Sequence, residues 1–314
     1  MGVNLTTSIG KVRLKNPVLV ASGTFGHAKE FEKFMDLKKL GGIVTKTITV
    51  KPRLGNPPQR IIETPSGMLN AIGLQNPGVE GFIADKLPYL KKIGVPLFVS
   101  VMGYSVEEIV QVVTRLEKES GIDGYELNLS CPNVSYGVKT GAPSKAKMFA
   151  HDEGMIREAV GACRAATSRT LVAKLGPDVS DIGLMAEAAE SGGADAIALI
   201  NTFMAMAVDV ERRVPVLANK TGGLSGPCIR PIAVRLVWEA RKRVRIPVVG
   251  IGGILNARDA MEFFIVGACA VQVGTANFMN PAAPVEVLGG IEQFLKQRKI
   301  AALTDVIGSL KEAS

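Results

Sequence analysis

The chain contains eight short segments rich in valine, isoleucine, leucine and alanine, and each of them ends in glycine, serine or threonine. They span residues 18–23, 42–47, 97–103, 124–130, 171–176, 196–202, 248–253 and 270–275. Nearly continuous apolar runs of this length are typical of strands that are covered on both faces, as in a parallel sheet.

Helical patterns separate most of these segments. They cover residues 106–116, 181–189, 231–242 and 257–264, with Ser105 and Asn256 as expected N-caps. Eight strands alternating with helices predict an α/β fold, a single (β/α)8 barrel domain over residues 1–314. A doubly wound open sheet is the alternative, but its G-x-G-x-x-G fingerprint is missing after the first strand.

Three connections are unusually long, namely residues 49–96, 131–151 and 203–247, and each follows a predicted strand. They are rich in glycine, proline and asparagine, so we expect structureless loops. Loops of this length in a compact domain are usually functional, and loops that follow barrel strands build the active-site face. We therefore expect all three at one mouth of the barrel.

The composition is that of an ordinary globular protein, with 47% hydrophobic and 21% charged residues and a net charge of +8. Only 5% of the residues are aromatic, which argues against a base-stacking surface, so no nucleic-acid partner is expected. No signal peptide is expected at the N-terminus. The uncharged run 263–285 contains asparagine, glutamine and proline, and it indicates a helix end, a strand and a loop rather than a membrane helix.

The four cysteines are isolated and the chain has two histidines, so we expect no metal or iron–sulfur cluster on this chain. Unpaired cysteines favour a reducing compartment, and the expected location is the cytoplasm. Cys163, Cys228 and Cys269 are expected to be small buried hydrophobic residues, and His27 and His151 to be surface or loop residues.

Polar residues and glycines end nearly all of the predicted strands, where a barrel places its chemistry. Gly252-Gly253 and Gly274-Thr275 follow the last two strands, a common position for phosphate binding by backbone N–H groups. Lys46 and Lys174 within strands indicate an anionic ligand or a Schiff-base nucleophile, as in a barrel aldolase. Cys131 heads a long loop and is a candidate nucleophile or general base.

Several ordered motifs resemble the class 1 dihydroorotate dehydrogenases, most closely the catalytic subunit of the class 1B, NAD-linked enzymes. The motifs lie at residues 46–47, 70–78, 128–133, 201–202, 218–227 and 274–277. The resemblance extends over essentially the whole chain. It implies an FMN-dependent oxidation of (S)-dihydroorotate to orotate in pyrimidine biosynthesis.

The resemblance also assigns residues. Cys131 would be the general base that removes the C5 proton while C6 delivers hydride to the flavin. The substrate would be held by Lys46, Asn70, Ala71, Ile72, Gly73, Leu74, Asn128, Asn201 and Thr202. FMN would be held by Ser22, Lys46, Thr47, Ser100, Asn128, Lys174, Ile200, Gly226, Gly252, Gly253, Gly274 and Thr275. Ser100 stands where the family usually has an asparagine, and the loop at 135–152 is longer than usual and lacks the family's Gly-Gly and Phe-Gly pattern.

The resemblance further implies a partner subunit carrying FAD and an iron–sulfur cluster, joined to a homodimer core in a heterotetramer. The quinone-linked class 2 enzymes fit poorly, because they have a serine base and a membrane-associating extension. The alternatives are a fumarate-linked class 1A enzyme, another dihydropyrimidine-oxidising flavoenzyme, a flavin-free aldolase, and a tRNA dihydrouridine-forming flavoenzyme.

Overall fold

The eight apolar segments form eight parallel strands that close into a barrel, as the sequence predicts. The structure is a computed structural model, and it describes residues 2–130 and 149–311. The first barrel strand pairs with the last, with Val18 opposite Val271, so the sheet has no free edge. The extension of this domain over residues 1–314 stays a prediction.

The strands, in chain order, are β1 (Thr7–Ile9), β2 (Val12–Leu14), β3 (Val18–Val20), β4 (Gly42–Val44), β5 (Ile61–Thr64), β6 (Gly67–Asn70), β7 (Leu97–Val101), β8 (Gly124–Asn128), β9 (Thr170–Leu175), β10 (Ala196–Leu199), β11 (Phe203–Ala205), β12 (Val208–Asp209), β13 (Val214–Pro215), β14 (Gly222–Ser225), β15 (Val248–Ile251) and β16 (Ala268–Val273). The helices are α1 (Gly78–Gly81), α2 (Leu87–Ile93), α3 (Val106–Glu117), α4 (Glu153–Ala166), α5 (Ile182–Ser191), α6 (Arg230–Arg243), α7 (Ala257–Ile265), α8 (Ala276–Met279) and α9 (Ala283–Gln297).

The predicted helix starts are confirmed at atomic detail. The hydroxyl of Ser105 accepts a hydrogen bond from the backbone N–H of Glu108 at the start of α3. Asn256 and Asp259 form a reciprocal capping box at the start of α7. These caps satisfy backbone N–H groups that the first helical turn leaves unpaired.

The interior of the barrel is apolar at one end and polar at the other. Its inward-facing positions alternate along each strand, and the lower ones form an apolar cluster that the N-terminal hairpin β1–β2 covers with Ile9 and Leu14. Two residues further along their strands, Phe98, Val172 and Ala270 are followed by Ser100, Lys174 and Gln272. Polar groups therefore lie toward the carboxyl ends of the strands.

Two of the long connections are not structureless loops, which corrects the sequence-based expectation. They contribute β5, β6, β11 and β14 to an antiparallel four-stranded sheet in the order β11-β14-β6-β5. In this sheet Asn70 pairs with both Gly223 and Ile61. These strands have only three or four residues, and β6 and β14 contain glycine, so they lack the apolar alternation that identifies a strand in the sequence. The third connection falls largely on residues 131–148, outside the described residues.

The uncharged run 263–285 contains the end of α7 and strand β16, as predicted, but the part predicted as a loop also contains α8 and the start of α9. In the parts of the chain that the structure describes, no helix is long and apolar enough to cross a membrane. Helices α1, α2, α4 and α9 complete the outer layer, although the sequence pattern had not singled them out.

Candidate active site

A cavity of about 380 Å³ lies at the carboxyl ends of the barrel strands, where the four-stranded sheet contributes to its wall. This volume lies within the range of about 300–1,000 Å³ that is usual for small-molecule sites. Barrel strands and sheet strands both supply lining residues, because Lys174 comes from β9 and Asn70 from β6. The site therefore exists only when the two connections fold back over the barrel.

Most of the residues singled out from the sequence meet at this cavity. The predicted residues that line it are Ser22, Lys46, Thr47, Asn70, Ile72, Leu74, Asn128, Lys174, Ile200, Asn201, Thr202, Gly226, Gly252, Gly253, Gly274 and Thr275. They come from distant parts of the chain, so their convergence is a property of the fold. Cys131 lies outside the described residues.

Three predicted residues lie behind the cavity wall. Ala71 is fully buried in a small cluster with Leu69 and Leu217. Gly73 packs so closely on Asn56 that a Cβ there would lie 2.5 Å from the Asn56 Oδ1. Ser100 is fully buried on β7 and contacts the cavity residues Thr47 and Ser22 from behind. Their effect on a ligand would be exerted through the residues in front of them.

The structure adds lining residues that sequence reasoning missed, namely Ala21, Gly23, Thr24, Arg60, Ile61, Met68, Gln75, Ser225, Ile229, Ile251 and Phe278. Gln75 and Ser225 fall inside the motifs at 70–78 and 218–227, so the motifs themselves pointed to them. Arg60 and Ile61 belong to the connection 49–96 that was expected at the mouth, but no motif singled them out within it. The Arg60 guanidinium donates to the Gln75 side chain over 2.6 Å and joins both ends of this segment.

A chain of hydroxyl groups connects the first three barrel strands below the cavity. The hydroxyls of Thr47 and Ser100 lie 2.9 Å apart, and that of Ser22 lies 3.2 Å from Thr47. The side-chain amide of Asn128 donates to the Thr47 hydroxyl over 3.3 Å. Buried polar groups that are bonded in this way hold each other in one rotamer, so the cavity floor is preorganised.

Asn201 connects the fourth and sixth barrel strands. Its amide nitrogen donates to the Asn128 Oδ1 over 3.2 Å, and it lies 3.2 Å from both the carbonyl oxygen and the hydroxyl of Ser130. The Asn201 Oδ1 accepts from the backbone N–H of Thr202 over 2.9 Å. The side chain thus holds the point where the chain enters residues 131–148.

Two lysines line the cavity. Lys174 is 5% exposed, and its ammonium lies 3.4 Å from the carboxylate of Glu126, which is 1% exposed. Lys46 is half-buried just after β4, and its backbone N–H donates to the carbonyl of Gly26. A ligand in the cavity is therefore close to two cationic side chains, which favours an anionic group.

Glycines after strands β14 and β15 form a separate corner of the cavity. Gly252 and Gly253 have positive φ angles of 131° and 69°, a backbone conformation that L side chains rarely adopt. Across this corner the hydroxyl of Thr275 donates to that of Ser225 over 2.8 Å. Backbone without side chains lets an anionic group approach the N–H groups closely, as phosphate sites require.

Neither histidine lines the cavity in the described part of the chain. His151 is exposed and His27 lies in a turn after β3, both as predicted, and the half-buried imidazole of His27 packs 5.6 Å from the ring of Phe82. Burial, and then the positive charge of Lys86, lowers the pKa of His27 to about 4. His27 is therefore neutral at neutral pH.

The described cysteines are poor nucleophiles. Cys163 is buried as predicted, whereas Cys228 and Cys269 are half-buried. Burial raises the pKa of all three thiols, that of Cys163 to about 12. A thiol with a raised pKa carries little thiolate, so these residues are suited to packing rather than to chemistry.

The sequence model of one protein family, described as dihydroorotate dehydrogenase, matches residues 4–295. The chain belongs to the dihydroorotate dehydrogenase family. The family predicted from the sequence motifs is therefore confirmed. Because the match includes both the barrel and the sheet above it, the whole cavity lies within the part that dihydroorotate dehydrogenases share.

Named relatives resemble this dihydroorotate dehydrogenase chain over nearly its full length. The "Dihydroorotate dehydrogenase B (NAD(+)), catalytic subunit" of Trichlorobacter lovleyi is 50% identical, with 98% of each chain covered. The protein of the same name from Thermodesulfovibrio yellowstonii is 48% identical, covering 98% of this chain and 99% of the relative. The protein of this name from Pelobacter propionicus is 47% identical, covering 99% of this chain and 100% of the relative.

A solved dihydroorotate dehydrogenase shares the fold. The crystal structure of the Eimeria tenella enzyme in complex with ferulenol superimposes with a TM-score of 0.77, covering 98% of this chain and 88% of that chain. The sequence identity is 23%, so this likeness supports the barrel architecture alone.

Proposed function

We propose that this chain is the FMN-binding catalytic subunit of an NAD-linked dihydroorotate dehydrogenase, which oxidises (S)-dihydroorotate to orotate in pyrimidine biosynthesis. The observation that carries the proposal is the convergence of six separate motifs on one cavity. Asn70, Asn128 and Asn201 bring amides to it, the two lysines bring positive charge, and the glycines bring side-chain-free backbone.

The residues present fit FMN. The corner of Gly226, Gly252 and Gly253 suits a phosphate, because all three glycines have positive φ angles and leave backbone N–H groups accessible. The polar floor of Ser22, Thr47 and Asn128 offers donors and acceptors to the edge of a heterocycle. Lys174 adds a cation, which would stabilise negative charge on a reduced ring.

The same cavity has groups suited to dihydroorotate. Amide side chains both donate and accept hydrogen bonds, so Asn70, Asn128 and Asn201 can match the alternating donors and acceptors of a pyrimidine ring. The Lys46 ammonium would pair with the substrate carboxylate. Thr202 follows Asn201 at the wall, where its backbone N–H is already bonded to the Asn201 Oδ1.

We assign the role of general base to Cys131. The residue before it, Ser130, is anchored to Asn201, so the loop that bears the thiol begins at the cavity wall. Cys131 would take the proton from C5 of dihydroorotate as the C5–C6 double bond forms. Bound FMN would supply the acceptor for the hydride that leaves C6. A thiolate is the reactive form, so activity requires a pH at which Cys131 can accept a proton.

The electrons would then leave through a partner. The relatives are named catalytic subunits of NAD(+)-linked enzymes, which supports a separate subunit and favours the NAD-linked class over the fumarate-linked alternative. We propose that the partner carries FAD and an iron–sulfur cluster and binds a homodimer of this chain in a heterotetramer. The cytoplasmic location expected from the unpaired cysteines stays a prediction.

An anaerobic titration tests the proposal. Purified chain should be yellow, and (S)-dihydroorotate should bleach the flavin absorbance in one equivalent. Cys131→Ala should retain FMN but lose flavin reduction by orders of magnitude, whereas the control Cys163→Ala, on α4 outside the barrel, should be reduced at the normal rate. Reduction of Cys131→Ala at the normal rate would refute the base. Fumarate turnover by the isolated chain would favour the class 1A enzyme.

A further inference from the structure

We propose that Glu126, a residue behind the cavity wall, is a positioning residue that keeps the Lys174 ammonium protonated and in place in both redox states of the bound flavin. Glu126 thereby sets the number of protons taken up with the two electrons. The inference rests on the proposed function in one respect, namely that FMN occupies the cavity that Lys174 lines.

Glu126 is held from two sides inside the barrel. Its Oε1 lies 3.4 Å from the Lys174 Nζ, contributed by the neighbouring strand β9. Its Oε2 accepts a 2.7 Å hydrogen bond from the side-chain amide of Gln272. Gln272 belongs to β16, which lies diametrically opposite β8 in the closed order of strands. A side chain reaching across the whole barrel thus fixes the carboxylate that faces Lys174.

Of the two charged side chains in this pair, one faces the cavity and the other lies behind it. Among the described residues, Lys174 lines the cavity, whereas Glu126 and Gln272 lie behind its wall and are 1% and 2% exposed. A ligand would therefore contact the ammonium and not the carboxylate. Glu126 can act on a ligand only by fixing where Lys174 lies and whether it is charged.

Stability alone is a poor explanation for this ion pair. Taking two charges out of water costs several kcal/mol per ion, and replacing such a pair by apolar side chains is often neutral or stabilising. Removing only the carboxylate would leave a buried ammonium with no counter-charge, and burial of that kind favours the neutral amine. We therefore infer that the pair is kept for the charge that Lys174 presents to the cavity.

Among the described residues, the buried charged side chains are Glu126, Lys174 and Asp259, and Asp259 lies outside the barrel on α7, where it pairs with Arg230. The other charged side chains that line the cavity in the described part of the chain are Lys46, after β4, and Arg60, before β5. Cys131 lies outside the described residues. Lys46 and Arg60 are both half-buried at the mouth of the barrel, where water can reach them. Glu126 is thus the described carboxylate that can balance Lys174 within the barrel.

The proposal predicts a proton count. In the unmodified chain, two electrons and one proton enter the bound flavin, and the reduced ring carries one negative charge beside an ammonium that was already charged. In Glu126→Gln, Lys174 is neutral beside the oxidised ring and takes a proton from solvent when the ring becomes negative. Two electrons then bring two protons, one to the ring and one to the amine.

The slope of the flavin reduction potential against pH measures this count. We would record it by spectroelectrochemical titration with reference dyes in mildly alkaline buffer, where the reduced ring itself binds no second proton. Glu126→Gln should double the slope of the unmodified chain, and the conservative Glu126→Asp should restore it. The control Glu117→Gln, whose carboxylate bonds to Tyr125 outside the barrel, should leave it unchanged.

An equal slope in Glu126→Gln and the unmodified chain would overturn the inference, and so would a two-proton slope in the unmodified chain. Should Glu126→Gln fail to fold, the double variant Glu126→Gln/Lys174→Met removes both charges and should fold, with a one-proton slope and a lowered potential. A two-proton slope in the double variant would also overturn it. The proposed function itself would be refuted if the chain bound no FMN, or if dihydroorotate failed to reduce the bound flavin.

Discussion

The side-chain nitrogen of Asn201 lies 3.2 Å from the side-chain oxygen of Asn128, and this contact joins two barrel strands that are not neighbours. Both amides line the cavity, and Asn128 continues the contact to Thr47. One nitrogen also holds both polar oxygens of Ser130. The cavity floor and the start of the loop bearing Cys131 are therefore fixed by the same side chain.

Asn201→Ala should slow flavin reduction by dihydroorotate at least tenfold while FMN stays bound. The substitution leaves buried acceptors on Asn128 and Ser130 without this donor, which costs about 1–3 kcal/mol. Stopped-flow absorbance gives the rate, and thermal unfolding gives the stability loss. Asn219→Ala is the matched control, since the exposed Asn219 side chain bonds locally, to the Thr221 carbonyl. Similar rates in the two variants would contradict the role of Asn201.

Gly252→Ala should weaken FMN binding and destabilise the chain by about 1–3 kcal/mol. Gly252 has a φ of 131°, and a Cβ would lie 2.9 Å from that of Ala233 on α6. The control Gly289→Ala lies within α9 with nothing within 4 Å of the new Cβ, so it should gain up to about 1 kcal/mol. Fluorescence titration with FMN and calorimetry measure both effects. An unchanged FMN affinity in Gly252→Ala would argue against the glycine corner as the phosphate site.

His27→Gln should flatten the dependence of the melting temperature on pH below neutrality. The folded-state pKa of His27 is lowered to about 4, whereas the unfolded chain binds a proton there near the ordinary value of 6.5. The folded chain therefore loses stability as the pH falls from 6.5 to 4, with no further loss below. When the melting temperatures of the unmodified chain and of His27→Gln are plotted against pH, the two plots should run parallel above pH 6.5 and diverge below it.

His151→Gln provides the comparison, because His151 is exposed. Its melting curves should follow those of the unmodified chain at every pH. If the melting temperatures of His27→Gln and His151→Gln depend on pH in the same way, the lowered pKa of His27 contributes nothing to the loss of stability in acid.

Cys131→Ser should be reduced slowly by dihydroorotate at neutral pH and faster as the pH rises. A hydroxyl is a far weaker acid than a thiol, so less of it is ionised to accept the C5 proton. Anaerobic stopped-flow measurements from neutral to alkaline pH would give the profile. A flat profile in this variant would show that the side chain at position 131 does not abstract the proton.

Much of the candidate site could be predicted from the local sequence. Lys46, Asn128, Lys174 and Asn201 lie at or near the ends of strands that the apolar runs identify, and such ends converge in any closed parallel barrel. The glycines after the last two strands were predictable for the same reason. The motifs supplied the family, which the family match confirms.

The four-stranded sheet above the cavity was not predictable in this way. Its strands, such as Gly222–Ser225, are three or four residues long and of mixed polarity, and β6 and β14 pair although they lie about 150 residues apart. Arg60 and Met68 reach the cavity only through that pairing. Ser100 and Gly73 lay within the expected site by sequence, but side-chain direction and close packing place them behind its wall.

The amino-acid pattern was enough to specify a barrel of eight strands, its capped helices and the family to which it belongs, because each of these depends on short-range periodicity or on local motifs. The contact between Glu126 and Gln272 has no trace in any local pattern, since the two residues are 146 positions apart and meet only across the closed barrel. Barrel closure brings opposite strands within reach of one side chain, and only that long-range geometry shows which buried charge stands behind Lys174.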